Sequence, residues 1–475
     1  MKRWIGILLF TLTATLCISF FTACGEEYSE GLNFVLMEDG TYGVRCGKVT
    51  AEEIVIPSER FGIPVTKILD GFFIHANTKT ELYGYDIPKV TVKLPESVTE
   101  IGDGAFDNCT VDCMVMLSAS VKHIGKEAFA SSLVDVVIPA DSKLETIGEN
   151  AFTRGGITGF TAPASLRTIG SGAFYGCEKL TKADLSLATE LKKIPTYCFR
   201  NTALKEITLN DGVESIDVEA FYGSEIDSIT LPYSVRIIGN SAFAYCYKLK
   251  TVDIPLGGEL EEIGAYAFEA CVLIKSFKLP KNLSTLASKA FYNCNGLVEM
   301  YVPETSRVKT KVNDAHLGIG GYGILFVRTD MEGQSIVRRT DDGFLYISRS
   351  GIMILMGYDG DETEITLPDT LEGKKYTVGP YAFYNSDVTH VTLSGGVTGI
   401  GDSAFEGSYL EWINIPESVA RIGKNVFSYL NSNYTLCQIV FEGEDDWSVG
   451  GNIVSSKDAE LYVKREYSGF EWIRR

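Results

Sequence analysis

The sequence predicts a β-rich solenoid, with short coils stacked along a parallel strand ladder in two arrays that each have their own N-terminal cap. The first observation is a six-residue signature of the form Ile-Gly-x-x-Ala-Phe, which occurs twelve times in strict or looser copies. The second is its spacing, because the signature phenylalanines lie 22 to 25 residues apart within each array. A fixed period of this length is typical of solenoids, in which each unit buries its apolar face only against its neighbours. The copies end at Phe106, Phe129, Phe152, Phe174, Phe199, Phe221, Phe243, Phe268 and Phe291 in the first array and at Phe383, Phe405 and Phe427 in the second.

Each repeat carries a short strand ahead of its signature. In the repeat that starts at Leu249, Val252 and Ile254 alternate with polar residues, which is the pattern of a half-buried strand. Pro255 follows directly and ends the strand, because proline cannot donate a hydrogen bond to a ladder. Equivalent strands of successive repeats are therefore expected to pair in parallel, and their outward-facing residues are expected to line one concave face.

Within the signature, the glycine suits either a tight turn or a close approach of two backbones, and the sequence leaves both interpretations open. The small alanine allows coils to pack closely. The phenylalanine is the largest apolar side chain of each unit, and burying a group of that size contributes about 1.5–3 kcal/mol. We therefore expect the phenylalanines to form one shared, buried spine.

The cysteines follow the same period. Cys109, Cys177, Cys246, Cys271 and Cys294 stand three residues after a signature phenylalanine, and most other repeats have Ser, Thr or Gly there. The position therefore favours a small side chain, and a buried thiol serves as a small hydrophobe. An exported chain could instead form a disulfide among the consecutive Cys246, Cys271 and Cys294. Since the sequence has no Cys-x-x-Cys and only four histidines, we predict no metal site.

The full repeat, L-x-x-V-x-I-P followed by L-x-x-I-G-x-x-A-F-x-x-C, resembles the BspA-like leucine-rich repeats of bacterial surface proteins. The resemblance extends from about Ile54 to Phe441. It implies a right-handed leucine-rich-repeat solenoid on the cell surface, and members of this family are usually described as adhesins or receptors for host or partner proteins. Pro195 and Asp217 replace the signature glycine and Val426 replaces the alanine. These departures are expected to loosen individual coils without changing the fold.

Residues 1–23 resemble the signal peptide of a lipoprotein. Lys2 and Arg3 precede an apolar run that ends at Phe21, and Phe-Thr-Ala then leads directly to Cys24. This pattern predicts cleavage and lipidation at Cys24, with an ordinary signal peptide cut nearby as the alternative. Two or more acyl chains hold a protein stably on a membrane. The expected location is therefore the cell surface or the outer membrane leaflet, with residues 24–32 as a tether.

The rest of the chain divides at a second cap signal. Asp39 and Gly40 lie between two short apolar runs, which predicts a hairpin at the start of the first array, residues 33–303. Asp342 and Gly343 repeat this signal, so a second cap and array are predicted for residues 341–441. Residues 304–340 would close the first array and link the two. Residues 442–475, with Trp447 and Trp472, are interpreted as the final cap, because an end coil must cover its apolar face.

The net charge and the predicted surface residues indicate which classes of partner the protein binds. The net charge is −19, and removing Lys2 and Arg3 with the signal peptide leaves −21, which repels nucleic acid. The outward strand positions are polar and mixed in sign. The candidate binding face comprises Trp412, His390, Asn414 and Tyr301, with Trp412 as its largest anchor; packing of Trp412 on a neighbouring coil or cap is the alternative. Tyrosines that directly follow signature phenylalanines are interpreted as covering the turns, with a sticky row as the alternative: Tyr175, Tyr222, Tyr292 and Tyr384.

No catalytic set is recognisable, and we predict neither an enzyme nor a cofactor. The four histidines are scattered and none has the spacing of a triad or a metal motif. The acidic segment from Asp359 to Glu364 lacks the glycine and distant glutamate of a calcium loop, so a charged turn is expected there. The favoured hypothesis is adhesion to a protein ligand on a host or neighbouring cell. The alternatives are a structural spacer of the cell envelope and, less favoured, a glycan-binding or enzymatic component.

Overall fold

The computed structural model describes residues 28–47, 52–73, 90–109, 112–255, 257–319, 326–328, 336–430, 437–443, 445–449, 452–454, 461–462 and 471–475. The predicted signal peptide and Cys24 lie outside these residues. The chain forms two compact units: the first comprises residues 1–158 and 163–166, and the second comprises residues 159–162 and 167–475. Among the described residues, no helix has the length and hydrophobicity needed to span a bilayer.

Each coil is built from two short strands and a run of turns. In one coil of the second unit, Ser228–Thr230 forms the first strand, Ile237–Ile238 forms the second, and turns around Phe243 complete the coil. Like strands of successive coils pair in parallel, which confirms the predicted β-solenoid. The structure has two parallel ladders, whereas the sequence predicts one. The second ladder consists largely of two-residue strands, which are too short to leave an alternating pattern.

The first unit opens with the predicted hairpin. β1 (Leu32–Leu36) and β2 (Tyr42–Cys46) pair antiparallel, and Gly40 turns the chain with a φ of 81°. β2 also pairs in parallel with β5 (Ile63–Ile68), so the cap continues directly into a ladder. The further strands of this unit are β3 (Glu53–Val55), β4 (Glu59–Arg60), β6 (Val90–Lys93), β7 (Glu100–Ile101), β8 (Cys113–Met116), β9 (His123–Ile124), β10 (Asp135–Val137) and β11 (Thr146–Ile147). They form the parallel ladders β3-β6-β8-β10 and β5-β7-β9-β11, and β4 pairs antiparallel with β5.

The second unit continues with the same two kinds of strand. The three-residue strands are β12 (Gly159–Thr161), β14 (Lys182–Asp184), β16 (Glu206–Thr208), β18 (Ser228–Thr230), β20 (Thr251–Asp253), β22 (Ser276–Lys278), β24 (Glu299–Tyr301) and β25 (Phe326–Arg328). The two-residue strands are β13 (Thr168–Ile169), β15 (Lys193–Ile194), β17 (Ser215–Ile216), β19 (Ile237–Ile238), β21 (Glu262–Ile263) and β23 (Thr285–Leu286). The first kind forms sheets β12-β14-β16, β18-β20 and β22-β24-β25, and the second kind forms β15-β17-β19-β21-β23. A 3₁₀ turn (Lys309–Lys311) and a short helix α1 (Asp314–Leu317) follow the last of these coils.

The second array begins with its own antiparallel strands. β26 (Arg338–Arg339), β27 (Phe344–Arg349) and β28 (Ile352–Tyr358) form a meander, and Gly343 turns the chain with a φ of 91°. The next strands are β29 (Glu364–Thr366), β30 (Tyr376–Val378), β31 (His390–Thr392), β32 (Val397–Ile400), β33 (Trp412–Ile415), β34 (Arg421–Ile422) and β35 (Gln438–Phe441). They form the parallel ladders β28-β30-β32-β34 and β29-β31-β33-β35.

The C-terminal strands reverse direction and end both ladders. β39 (Trp472–Arg474) pairs antiparallel with β34, and β38 (Leu461–Tyr462) pairs antiparallel with β35. β36 (Trp447–Val449) joins β39 and β37 (Asn452–Val454). Trp472 is 2% exposed and its ring lies 6.5 Å from that of Phe427, so this segment covers the last signature phenylalanine.

The signature phenylalanines are buried as predicted and form stacks of rings within each unit and array. All twelve are 4% exposed or less. In the second unit, consecutive rings such as Phe199 and Phe221 stack nearly parallel with their centroids 5.4 Å apart. In the first unit, Phe106 and Phe129 stack at 5.0 Å, and in the second array Phe383 and Phe405 stack at 4.9 Å. The repeat period therefore acts mainly by placing one aromatic ring per coil on a common line.

The signature glycine serves a close approach between coils. A Cβ on Gly264 would lie 2.7 Å from the backbone nitrogen of Asn240 and 2.8 Å from the carbonyl carbon of Gly239. Gly239 stands in the same relation to the coil before it, 2.8 Å from the carbonyl carbon of Asp217. These glycines have no positive φ, so of the two interpretations left open, close backbone approach is the correct one.

Positive φ occurs instead on either side of the phenylalanine. In all twelve repeats the residues two places before and two places after it have φ between 49° and 71°, and only five of these 24 positions are glycine. This geometry lets alternate amides of one turn bond to the next coil, as Glu219 N does to Asn240 O and Phe221 N does to Ala242 O. This feature leaves no recognisable pattern in the sequence, because residues as different as Lys289 and Ala270 adopt it.

The described cysteines are buried thiols, as the repeat pattern predicts. All nine cysteines among the described residues are buried thiols rather than disulfides. The Sγ of Cys246, Cys271 and Cys294 each lies 2.8 to 3.1 Å from the carbonyl oxygen of the signature phenylalanine in the preceding coil. Burial raises the pKa of Cys246 to about 12, so it remains a protonated donor.

Within the second unit, the second array packs against coils of the first along a contact we call the inter-array seam. The rings of Tyr247 and Tyr384 lie 5.7 Å apart, and Lys248 Nζ lies 3.2 Å from Asp387 Oδ1 and donates to the carbonyl oxygen of Asn385. An apolar part of the seam comprises Val298 on the first-array side and Ile347, Ile354 and Met356 on the second.

The seam also buries one lysine. Lys275 is 9% exposed, and its Nζ has no hydrogen-bond partner among the described residues. Its Cε lies 3.8 Å from the position that a Cβ on Gly357 would occupy, so the side chain reaches the second array. Burial lowers the pKa of Lys275 to about 8, because a charged amine is disfavoured without a partner.

Candidate functional site

The outward-facing residues of the three-residue strands form polar rows. On β14 and β16, Lys182 lies opposite Glu206, with Nζ 2.8 Å from Oε2. Their hydrogen bond raises the pKa of Lys182 and lowers that of Glu206. Further along, Thr230 and Thr251 are exposed. Over β14 to β20 this face is hydrophilic and carries both signs of charge, whereas Met116 on β8 and Val137 on β10 are exposed apolar residues of the same array.

The corresponding face of the second array is different because it is aromatic. His390 on β31 lies opposite Trp412 on β33, and their rings stack with centroids 6.4 Å apart and planes 21° apart. Glu364 of β29 lies opposite His390, and Gln438 of β35 lies opposite Trp412. We call these four residues the aromatic row. The parallel register aligns them because each is the first residue of its strand.

The aromatic row is open to solvent at one end and partly covered at Trp412. The Glu364 side chain is 76% exposed and that of His390 is 44% exposed, with Glu364 Oε1 3.9 Å from His390 Nδ1. Thr389 Oγ1 lies 3.2 Å from the same nitrogen. Trp412 is half-buried. The inward neighbours Val391 and Ile413 are fully buried, so the row stands on a rigid core.

Asn414 lies on the same strand but within the protein. It is 3% exposed, its Oδ1 accepts from Leu393 N at 2.6 Å, and its Nδ2 donates to Leu393 O and to Glu442 Oε1. All of these bonds tie neighbouring coils together, so a ligand on this face would meet Trp412 and His390 rather than Asn414.

The fourth candidate, Tyr301, lies on β24 and belongs to a different sheet from the aromatic row. It is half-buried and lies opposite Lys278 of β22. The structure therefore brings His390 and Trp412 into contact and places Tyr301 elsewhere on the outward face. Glu364, which lies beside them, is not among the site residues predicted from the sequence, although its place at the start of a strand matches that of His390.

The tyrosines next to the spine lie on the turn side of the coils. Arg200 packs over Tyr222, with Cζ 4.1 Å from the ring centroid, and its Nε lies 2.7 Å from Glu219 Oε2. Tyr245 donates to Glu269 at 2.8 Å, and this bond raises the pKa of Tyr245 to about 12. The four predicted residues, Tyr175, Tyr222, Tyr292 and Tyr384, are all half-buried.

The described residues contain no group of three or more His, Cys, Asp or Glu side chains arranged to hold a metal ion. In the acidic segment that begins at Asp359, both carboxylate oxygens of this residue accept from Arg339 Nε, at 3.0 and 2.9 Å. The first carboxylate of the segment is thus used in an ion pair on a charged turn.

Comparison with known proteins gives a family match over more than half of the chain. The model of the BspA-type leucine-rich repeat region matches in six copies over residues 86–181, 183–298 and 360–442. No curated protein matches significantly.

Solved structures give further similarities. A leucine-rich repeat protein from Bacteroides ovatus is 22% identical with a TM-score of 0.46, over 86% of this chain and 93% of that one. A leucine-rich cell surface protein from Faecalibacterium prausnitzii is 20% identical with a TM-score of 0.23, over 93% of this chain and all of that one.

The family match agrees with the features already described: the period, the phenylalanine spine and the parallel ladders. It supports a repeat protein that binds other proteins. The chain therefore belongs to the BspA-type leucine-rich repeat family.

Proposed function

We propose that this chain is a lipid-anchored protein of the bacterial cell surface that adheres to a protein ligand on a host or neighbouring cell, and that the aromatic row is its principal contact. The lipid would be carried by Cys24. Binding rather than catalysis is the proposed activity, because the aromatic row offers an anchor and charged neighbours without a nucleophile.

The observation that carries the proposal is the pairing of Trp412 with His390 on an outward sheet face. Tryptophan is enriched among the residues that dominate binding energy at interfaces. The Glu364 side chain beside this pair is largely exposed and can pair with a cationic group of the ligand. The described centre of the first-array face instead carries Thr230, Thr251 and the Lys182–Glu206 ion pair.

The test is binding of the full mature chain to purified extracellular-matrix and cell-surface proteins, measured by surface plasmon resonance. For a protein that binds, Trp412→Ala is expected to weaken affinity by about tenfold or more, as at an interface hot spot. Thr392→Ala is the matched control, because Thr392 is exposed on the same sheet. Equal losses in both variants, or no loss in either, would remove the aromatic row from the proposal.

The same binding screen, together with a deletion strain, also tests adhesion against the spacer hypothesis. If no protein binds and a deletion strain shows an envelope defect, the spacer hypothesis replaces adhesion. If mass spectrometry of the mature chain finds no acyl group on Cys24, the lipid anchor is wrong.

A further inference from the structure

The tip of the β4–β5 hairpin carries a solvent-exposed aromatic residue. Phe61 is 77% exposed, with a φ of 54°, and Gly62 follows with a φ of 77°. Two consecutive positive φ values in a two-residue hairpin loop define a type I′ turn, in which Asn or Gly is favoured. A bulky residue in this conformation is uncommon in proteins generally, but tyrosines in the coil turns of this chain, such as Tyr245 and Tyr266, share it. The observation that matters for Phe61 is therefore the exposure of its ring rather than its φ.

Phe61 is one of a group. The Arg60 guanidinium carbon lies 5.2 Å from the centre of the Phe61 ring and 4.3 Å from that of Phe34. The ring of Tyr28 lies 6.1 Å from that of Phe34. Leu36 is two residues from Phe34 on β1 and so lies on the same side of the strand. We call these five residues the cap patch.

The cap patch is apolar and accessible. Leu36 is 58% exposed and Tyr28 is 46% exposed, in addition to Phe61. Its one cation, Arg60, lies against the aromatic rings rather than apart from them. The neighbouring carboxylates of Glu30, Asp39 and Glu59 are exposed.

The position of the patch along the chain points to what covers it. Tyr28 follows Cys24 by four residues, and four extended residues span at most about 14 Å. This step rests on the lipid anchor given under Proposed function. A lipid on Cys24 then holds Tyr28 within that distance of the bilayer, so the first unit cannot move far from the membrane surface.

We infer that the cap patch rests on the membrane, with Phe61 and Leu36 entering the interfacial region and Arg60 at the level of the lipid phosphates. Aromatic side chains are enriched at membrane–water interfaces, and arginine reaches phosphate while its stem stays in an apolar environment. Because the surrounding exposed residues include carboxylates, burial of apolar surface drives the contact rather than attraction to anionic lipid. The anchored protein would then have a fixed orientation at its N-terminal end.

The experiment uses the full acylated chain, purified in detergent and reconstituted into phosphatidylcholine vesicles with or without brominated acyl chains. Phe61→Trp adds an indole at the tip of the hairpin. Tyr233→Trp is the matched control, since Tyr233 is 68% exposed and does not belong to the cap patch. Bromolipid is expected to quench the added fluorescence at residue 61 by about twofold or more, and at residue 233 hardly at all. Adding phosphatidylglycerol is expected to leave this difference unchanged.

The outcomes separate the inference from the function on which it rests. Vesicles that carry the chain but quench residues 61 and 233 equally would overturn the membrane contact alone. A chain that does not float with vesicles would overturn the lipid anchor and the contact together. Shielding of residue 61 that rises with protein concentration in the absence of vesicles would assign the patch to a second copy of the chain.

Discussion

The interior of an array and the inter-array seam are built on opposite principles. In the interior, each coil repeats the contacts of the one before it, as in the stacking of Phe199, Phe221 and Phe243 at 5.4 and 5.2 Å. At the seam, every contact occurs once, and the groups involved include charged lysines. Lys248 bonds across it, while Lys275 is buried in it with no hydrogen-bond partner among the described residues.

Because of this difference, the repeat predicts which interior contacts stabilise the solenoid, but it does not predict the contacts at the seam. An interior contact is present in each coil, so its loss in one coil creates a cavity that neighbours on both sides must span. A seam contact depends on how two arrays happen to meet. We therefore expect interior substitutions to lower stability at every pH and substitutions of the seam lysines to act through charge.

The largest expected effect is in the interior. Phe221→Ala should lower the free energy of unfolding by about 3–5 kcal/mol, because it leaves a cavity in the spine. Denaturant unfolding of the full chain measures this loss. Tyr222→Ala is the control, since Tyr222 is only half-buried next to the same residue. If Phe221→Ala were as stable as the unmodified protein, the phenylalanine spine would not contribute to stability as proposed.

A seam substitution should instead raise stability. Since burial lowers the pKa of Lys275 from 10.5 to about 8, keeping it charged at pH 7 costs about 3 kcal/mol, and Lys275→Met should recover this amount. Between pH 8 and 10.5 the unfolded chain binds more protons than the folded one, so the unmodified protein gains stability as pH rises. The advantage of Lys275→Met should therefore shrink over that range.

Unfolding of both proteins from pH 7 to 10.5 checks this expectation. Lys278→Met provides the control, because Lys278 is exposed at the end of β22, three residues after Lys275. An advantage of Lys275→Met that stays constant with pH would show that packing, and not charge, is responsible.

The smallest effect concerns the cysteine position. Thiols such as Cys271 donate to the preceding coil, whereas the hydroxyls of Ser386 and Ser408 donate to the phenylalanine carbonyl of their own coil, at 2.8 and 2.7 Å. Cys271→Ser should adopt the second arrangement and change stability by about 1 kcal/mol or less. Cys271→Val, which has no donor and a branched side chain, should cost about 1–3 kcal/mol. Equal costs in denaturant unfolding would show that only volume matters at this position.

The sequence by itself determined the repeat architecture. A period of 22 to 25 residues, an alternating strand and one phenylalanine per unit leave a stacked parallel solenoid as the arrangement that buries every ring. It also favoured buried thiols, because Ser and Thr stand in their place in other repeats, but the structure was needed to exclude a disulfide among Cys246, Cys271 and Cys294. These features are periodic, and periodic features survive in a linear sequence.

Only the tertiary structure decided the features that depend on a neighbouring coil or array. The second ladder, the positive φ around each phenylalanine and the burial of Asn414 all arise from hydrogen bonds between coils, which leave no pattern in one repeat. The seam brings Lys248 to Asp387 across 139 residues, and the cap patch brings Arg60 to Phe34. Such contacts are formed once, between segments with unrelated local patterns, so only the folded chain brings them together.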